Sequence, residues 1–167
     1  MVSHDDWVVV DEGVTPVGWA PDQVKIDQPT RESHLKWIIA VNRELPPGVA
    51  ANAVACLAAA VGNAVPGVIG PAGKDAAGRI HPGLPWAGCS ILAGSAEQLA
   101  DLRHRSADVI GVFVCDMPSI AHTTRIYADF LDRLAAADPE TLVVHAISVI
   151  GPRSRVDRLA RRLSLLR

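Results

Sequence analysis

Aromatic side chains are scarce in this 167-residue chain: Phe, Trp and Tyr make up 4% of it, whereas apolar residues of all kinds make up 49%. A disordered chain is poorer in apolar residues, so the composition predicts a globular fold with a core of Ala, Val, Leu and Ile. At this length we expect one domain, which needs neither disulfides nor a structural metal to be stable.

Cysteine is also scarce, and the three thiols of Cys56, Cys89 and Cys115 are widely spaced among apolar residues. An odd number of cysteines without a CxxC spacing predicts reduced thiols in the core, not a disulfide framework or a metal site. We therefore expect a cytoplasmic protein with no metal and no cofactor.

The chain has no excess of positive charge and no long apolar run. Its formal net charge is −2, so it lacks the positive field that attracts nucleic acid, and we do not expect it to bind tRNA. It shows no signal-peptide pattern and no uninterrupted apolar stretch near the roughly 20 residues that span a bilayer, so no membrane contact is expected.

Residues 1–35 are rich in Gly and Pro and offer at most one short strand, at Trp7–Val10. We interpret them as an N-terminal arm ahead of a domain over residues 36–167. The arm is either a tail that packs against nothing or a segment that packs on the domain or on a partner subunit. Its two tryptophans, Trp7 and Trp19, favour packing, because apolar side chains are costly to leave in water.

From residue 36 onward, apolar segments alternate with turn signals, a pattern typical of a layered α/β fold. We predict a single domain with a four-stranded mixed sheet and helices on both faces. The predicted strands are 37–41, 87–93, 109–115 and 142–150, and the predicted helices are 48–62, 95–107, 119–137 and one after Pro152.

The helix predicted at 119–137 has a row of apolar residues at helical spacing. We expect these side chains to be buried: Ile126, Tyr127, Phe130, Leu131 and Leu134.

The stretch 63–86 contains too many Gly and Pro residues for a helix or strand, and a loop of this length in a compact domain is often functional. Lys74, Asp75 and His81 lie in it. They belong either to a lid over a ligand or to a solvated surface loop with an ordinary Lys–Asp pair.

Asn52 is a polar residue in an otherwise apolar helix, and a buried amide must be hydrogen-bonded. It either pins the long loop or contacts a ligand. The first turn of the same helix, at Gly48, offers free N–H groups and a positive dipole end to an anion.

Asp116 ends a predicted buried strand, and His122 lies on the first turn of the helix that follows. If both face one cleft, the carboxylate orients the imidazole as a general base, a role that histidine fills more often than other residues. Alternatively, Asp116 caps the helix that begins near Ser119.

Short motifs in a fixed order carry a family resemblance. They are Leu45-Pro46-Pro47-Gly48, Asn52-Ala53, Gly70-Pro71, Lys74-Asp75, Gly78 and His81-Pro82-Gly83. In this order they resemble the domain-of-unknown-function family 2000. Residues 36–56 and 146–166 are similar to the first and last parts of type II peptidyl-tRNA hydrolases, so the resemblance implies that fold, in which dimers are common.

The resemblance also bears on the chemistry. The hydrolase family has lysines at the start of its first helix, where this chain has Val49 and Ala51. The acid after the family's third strand has its counterpart at Asp116, and Thr123 lies near the place of the family's Thr-Gln.

Two functions are therefore open. The first is a hydrolase of a small ester or nucleotide-bearing substrate, without the usual lysines. Its catalytic residues are Asp116 and His122, and its substrate-binding residues are Asn52, Gly48, Lys74, Asp75, His81 and Thr123. The second is a non-catalytic binding or assembly module. In either case we expect a small-molecule ligand and a homodimer.

Overall fold

The structure, a computed structural model, describes residues 17–167 of the chain. The short strand predicted at Trp7–Val10 lies outside the described residues. Two short 3-10 turns, Pro21–Gln23 and Thr30–Glu32, precede the sheet.

The strands are β1 (Leu35–Asn42), β2 (Gly73–Lys74), β3 (Ile80–His81), β4 (Ser90–Gly94), β5 (Phe113–Pro118), β6 (Val144–Pro152) and β7 (Ser164–Leu165). The helices are α1 (Pro47–Ala64), α2 (Ala96–Ala107), α3 (Ser119–Thr123), α4 (Tyr127–Ala135) and α5 (Arg153–Ala160).

The main sheet is mixed and has the strand order β5-β6-β1-β4-β7. Its β1–β4 pair is parallel, and its other pairs are antiparallel. The prediction of a single α/β domain with a mixed sheet is confirmed, but the predicted four strands are wrong, because the sheet has five. The fifth, β7, has two residues and is too short for a period-2 apolar pattern to reveal.

The apolar core lies on both faces of the sheet. On one face, α1 packs through Ala53, Leu57 and Val61. On the other face, Leu99 and Leu102 of α2 and Val156 of α5 are fully buried. By length and apolar composition alone, α1 is long and apolar enough to cross a membrane, and 17% of its residues are buried in the domain.

Two boundaries differ from the prediction for local reasons. Strand β5 begins at Phe113 rather than at residue 109, because residues before it form a turn in which Gly111 has a φ of 73°. The helix predicted over 119–137 is divided into α3 and α4 by extended backbone at Thr124 and Ile126. The hydroxyl of Thr124 donates to the Ile120 carbonyl at 2.7 Å, and such bonds compete with the helical backbone pattern.

The predicted burial of this region is wrong for three side chains: Ile126 is 61% exposed, Tyr127 is 66% exposed and Leu131 is 43% exposed. Phe130 and Leu134 are half-buried. Helix α4 therefore flanks the domain instead of forming part of its core.

The part of the arm that the structure describes packs against the end of α1. Trp19 is buried, its backbone N–H donates to the Pro66 carbonyl at 2.9 Å, and its ring lies 5.5 Å from that of Trp86 in an edge-on arrangement. Gly67 has a φ of 72°, and a Cβ there would lie 2.5 Å from the Trp19 carbonyl oxygen. A glycine is therefore required where the arm meets the domain.

Candidate functional site

A cleft of about 620 Å³ opens at the start of α1, beside the carboxyl end of β1 and against Ile91 of β4. We call it the α1 cleft. Nine of its twelve lining residues are apolar, among them Leu45, Val54 and Ile91, and the three polar ones are Asn42, Arg43 and Arg167.

The polar groups of the α1 cleft suit binding rather than proton transfer. The side-chain oxygen of Asn42 accepts the backbone N–H of Glu44 at 3.0 Å, which commits it to the β1–α1 turn. Arg43 donates to the Gln98 side chain at 2.8 Å and, with Arg167, makes the cleft positive. The guanidinium group of arginine stays protonated in proteins, so it cannot act as a general acid or base. The lining contains no acidic, histidine, thiol or hydroxyl side chain.

Gly48 is exposed in the first turn of α1 but is not part of the lining of this cleft. The residue before the helix, Pro46, provides no side-chain cap, and no acidic residue lies in the first turn. The positive end of the helix dipole is therefore uncompensated by side chains at this end of the domain.

A second groove, of about 380 Å³, lies on the other side of α1, between α1, β5 and α4. We call it the edge groove. It is lined by Asn52 and Cys56 of α1 and by Asp116 of β5, so the structure brings two of the predicted site residues to one place.

Asn52 and Cys56 are both exposed, and the expectations that Asn52 is a buried amide and that Cys56 lies in the helix core are wrong. The reason is that α1 buries only a narrow stripe, and both residues lie beside it. Burial raises the pKa of the Cys115 thiol to about 11 and that of the Cys89 thiol to about 12, so these two thiols stay protonated.

Asp116 was predicted either to orient His122 or to cap the helix near Ser119, and in the structure it has another partner. Its carboxylate accepts the side-chain N–H of Arg103 at 2.7 Å, and this ion pair joins β5 to α2. Arg103 also donates to the Pro139 carbonyl at 3.2 Å. Asp116 does not cap α3, since the residue before that helix is Pro118 and no side chain caps it.

The ring of His122 lies 5.8 Å from the ring of His145, and no hydrogen bond in the described part of the chain joins His122 to Asp116. His145 is half-buried, and its Nδ1 atom is buried without a hydrogen-bond partner among the described residues. The pKa of His145 is lowered mainly by burial and to a smaller extent by the nearby His122. Sequence reasoning missed His145, although it is a polar residue within the apolar strand β6.

Lys74, Asp75 and His81 lie on the β2–β3 hairpin, which is exposed throughout. The Asp75 carboxylate accepts the backbone N–H groups of Ala77 and Arg79, each at 2.9 Å, and lies 3.5 Å from the His81 ring. The pKa of Asp75 is lowered, and the largest cause is the hydrogen bond from the backbone N–H of Arg79. Asp75 thus shapes the hairpin turn, and none of the three lines either groove.

Thr123 is exposed, and its hydroxyl donates to the Ile120 carbonyl at 3.1 Å within α3. Across residues 17–167 there is no group of three or more His, Cys, Asp or Glu side chains that could hold a metal ion.

Comparison with solved structures shows that the fold occurs elsewhere. The chain is similar to a protein of unknown function, Atu0240, from Agrobacterium tumefaciens strain C58, with a TM-score of 0.69 and 18% sequence identity over 80% of this chain and 98% of that chain. No curated protein matches this chain.

Comparison with families agrees with the resemblance seen in the motifs. Residues 35–167 match the family described as "Protein of unknown function (DUF2000)". This range includes all strands of the main sheet and helices α1 to α5. The chain therefore belongs to the DUF2000 family.

Proposed function

We propose that this domain binds a small amphipathic anion in the α1 cleft and performs no hydrolysis there. The observation that carries the proposal is the lining of the cleft: nine apolar residues, two arginines and no group that transfers protons or attacks a substrate. The occupant is a small molecule with an apolar body and a carboxylate or phosphate group.

The position of the cleft supports this function. In α/β sheets, ligands bind outside the carboxyl ends of parallel strands, and the carboxyl end of β1, which is parallel to β4, borders the cleft. A volume of about 620 Å³ falls in the usual range of small-molecule sites, which are mostly apolar with a few polar groups.

The test is a thermal-shift series with octanoate, benzoate and phenyl phosphate. A ligand at 100 times its dissociation constant stabilises by about 2.7 kcal/mol. We expect Arg43→Ala and Arg167→Ala to remove this stabilisation, and Arg133→Ala, on α4 away from the cleft, to retain it. Equal stabilisation of all three variants contradicts an anion in the α1 cleft.

A second candidate is hydrolysis of a small ester or nucleotide-bearing substrate in the edge groove. The observation that favours it is that Asp116 and Asn52 line the same groove. The Arg103 ion pair opposes it, because it holds one oxygen of the Asp116 carboxylate against α2 at 2.7 Å. Turnover that survives Asp116→Ala and His122→Ala rules out the proposed roles of these two side chains.

A type II peptidyl-tRNA hydrolase-like fold, a homodimer and a cytoplasmic location belong to the same proposal. The motif order of the sequence supports the first. The exposed, uncharged surface of α1 supports the second, since Pro47–Ala64 contains no charged residue. A single protomer mass in light scattering at micromolar concentration contradicts the dimer.

A further inference from the structure

The edge groove runs beside β5, which is an outer strand of the sheet among the described residues. Four consecutive residues of this strand, Cys115–Pro118, line the groove. Successive side chains of a strand point to opposite faces, so four residues in a row reach one groove only where the strand presents its edge. The groove thus borders the edge of β5 at Cys115 and Asp116, which are half-buried, whereas Met117 and Pro118 are buried. The unpaired backbone groups of an outer strand are a template for another strand.

The other walls of the groove suit an apolar occupant. They include Cys56 and Ala60 of α1 and Tyr127 and Phe130 of α4. Helix α4 has nine residues, none of them buried, although its apolar side chains share one face. A helix this short depends on packing of its apolar face for stability, so an occupant that covers this face stabilises α4.

We propose that the segment Trp7–Val10 of the same chain occupies the edge groove as an added strand on β5. The segment is Trp-Val-Val-Val, and β-branched and aromatic residues of this kind are the ones enriched in strands. Acidic residues flank it, at positions 5–6 and 11–12, and Arg125 in the lining of the groove provides the opposite charge.

The described end of the arm lies at the correct end of the sheet. Trp19 lies beside His34, which directly precedes β1, with ring centroids 6.3 Å apart. Strands β1 and β5 are both antiparallel to β6, so they begin at the same end of the sheet. The arm thus joins the domain at the end of the sheet where β5 begins, with β6 between β1 and β5.

Length and direction are also compatible. Six residues separate Val10 from Val17, and these seven steps span at most about 23 Å when extended, more than the roughly 10 Å between β1 and β5, which lie two strand spacings apart. Because the chain runs from Trp7 toward the beginning of β5, the added strand is antiparallel to β5. Addition of a strand to a sheet edge is a recurrent mode of recognition, with affinity from main-chain hydrogen bonds.

Cys56 gives a direct test, because it is an exposed thiol in the lining of the groove. Burial raises the pKa of Cys89 and Cys115, so iodoacetamide at pH 8 modifies Cys56 first. In the full chain we compare wild type with Val9→Pro, which removes an N–H and disfavours a strand, and with the control Val14→Pro, the same change in the arm outside the segment.

We expect Val9→Pro to raise the alkylation rate of Cys56, and the hydrogen-exchange rate of β5 amides, about tenfold, and Val14→Pro to leave both at the wild-type level. Trp7→Ala repeats the test should Val9→Pro not fold. Equal rates in all variants overturn the proposal. Protection that increases with protein concentration also overturns it, since the strand then comes from a second copy. Neither readout involves the α1 cleft, so the result is independent of ligand binding there.

Discussion

Replacing Ser148 by alanine removes the partner of a buried donor. Ser148 is fully buried, Trp37 is 3% exposed, and the indole N–H of Trp37 donates to the Ser148 hydroxyl oxygen at 2.9 Å. Alanine leaves this N–H without a partner in the core, and an unsatisfied buried donor costs about 1–3 kcal/mol. For a domain of this length the expected fall in Tm is about 2–12 °C.

The assay is thermal and urea unfolding followed by circular dichroism, with Ser106→Ala as the control. Ser106 is also buried, but its hydroxyl donates to the Leu102 carbonyl within α2. Removing that hydroxyl leaves a carbonyl that keeps its helical partner, and alanine favours the helix. We therefore expect a change of about 0.5 kcal/mol or less.

A double-mutant cycle separates the hydrogen bond from the lost hydroxyl volume. Trp37→Phe removes the donor, so Ser148→Ala on that background should cost less than on the wild type by about 1 kcal/mol. Equal losses for Ser148→Ala and Ser106→Ala, with no coupling to Trp37, refute the reasoning.

Three further changes have expected outcomes. Gly67→Ala should destabilise by more than about 1 kcal/mol in urea unfolding, because its φ is positive and its Cβ meets backbone, whereas Gly78→Ala, at a similar φ of 80° with open space, should cost less. Ser95→Ala should cost about 1 kcal/mol because the Ser95 hydroxyl caps α2, and Ser119→Ala, which caps nothing, should be nearly neutral in the same assay. The lowered pKa of His145 means that the unfolded state binds more protons below the ordinary value of 6.5, so stability should fall as pH drops through that value; His145→Gln should flatten this dependence in melts from pH 7 to pH 5.

Local patterns predicted much of the fold. Ser95 and Gln98 have the three-residue spacing of a capping box, a local signal for the start of the helix predicted from residue 95, and the structure contains both hydrogen bonds of this box. The apolar run that becomes β1 and the Pro47–Gly48 turn into α1 were likewise visible, because each depends on neighbours in the sequence. The family was predicted from ordered motifs and is confirmed.

The candidate site was less predictable, because its contacts join distant parts of the chain. The Arg103–Asp116 pair links α2 to β5 across 13 residues, and no local pattern marks Arg103 as a partner. The predicted burial of the apolar row at 126–134 is wrong for three of its five side chains, because periodicity shows that a helix has an apolar face and not what covers that face.

Both proposed binding sites lie beside α1, a helix whose apolar surface is only partly covered by the domain. A helix that exposes most of its surface in water normally carries charges on the exposed side, yet Pro47–Ala64 has none and only 17% of it is buried. The α1 cleft and the edge groove lie on either side of this helix, so contacts in both cover part of its uncharged surface. A small anion on one side and the Trp7–Val10 segment on the other provide such contacts without a catalytic group in α1. The absence of lysines at Val49 and Ala51 then fits a helix that binds rather than one that cleaves.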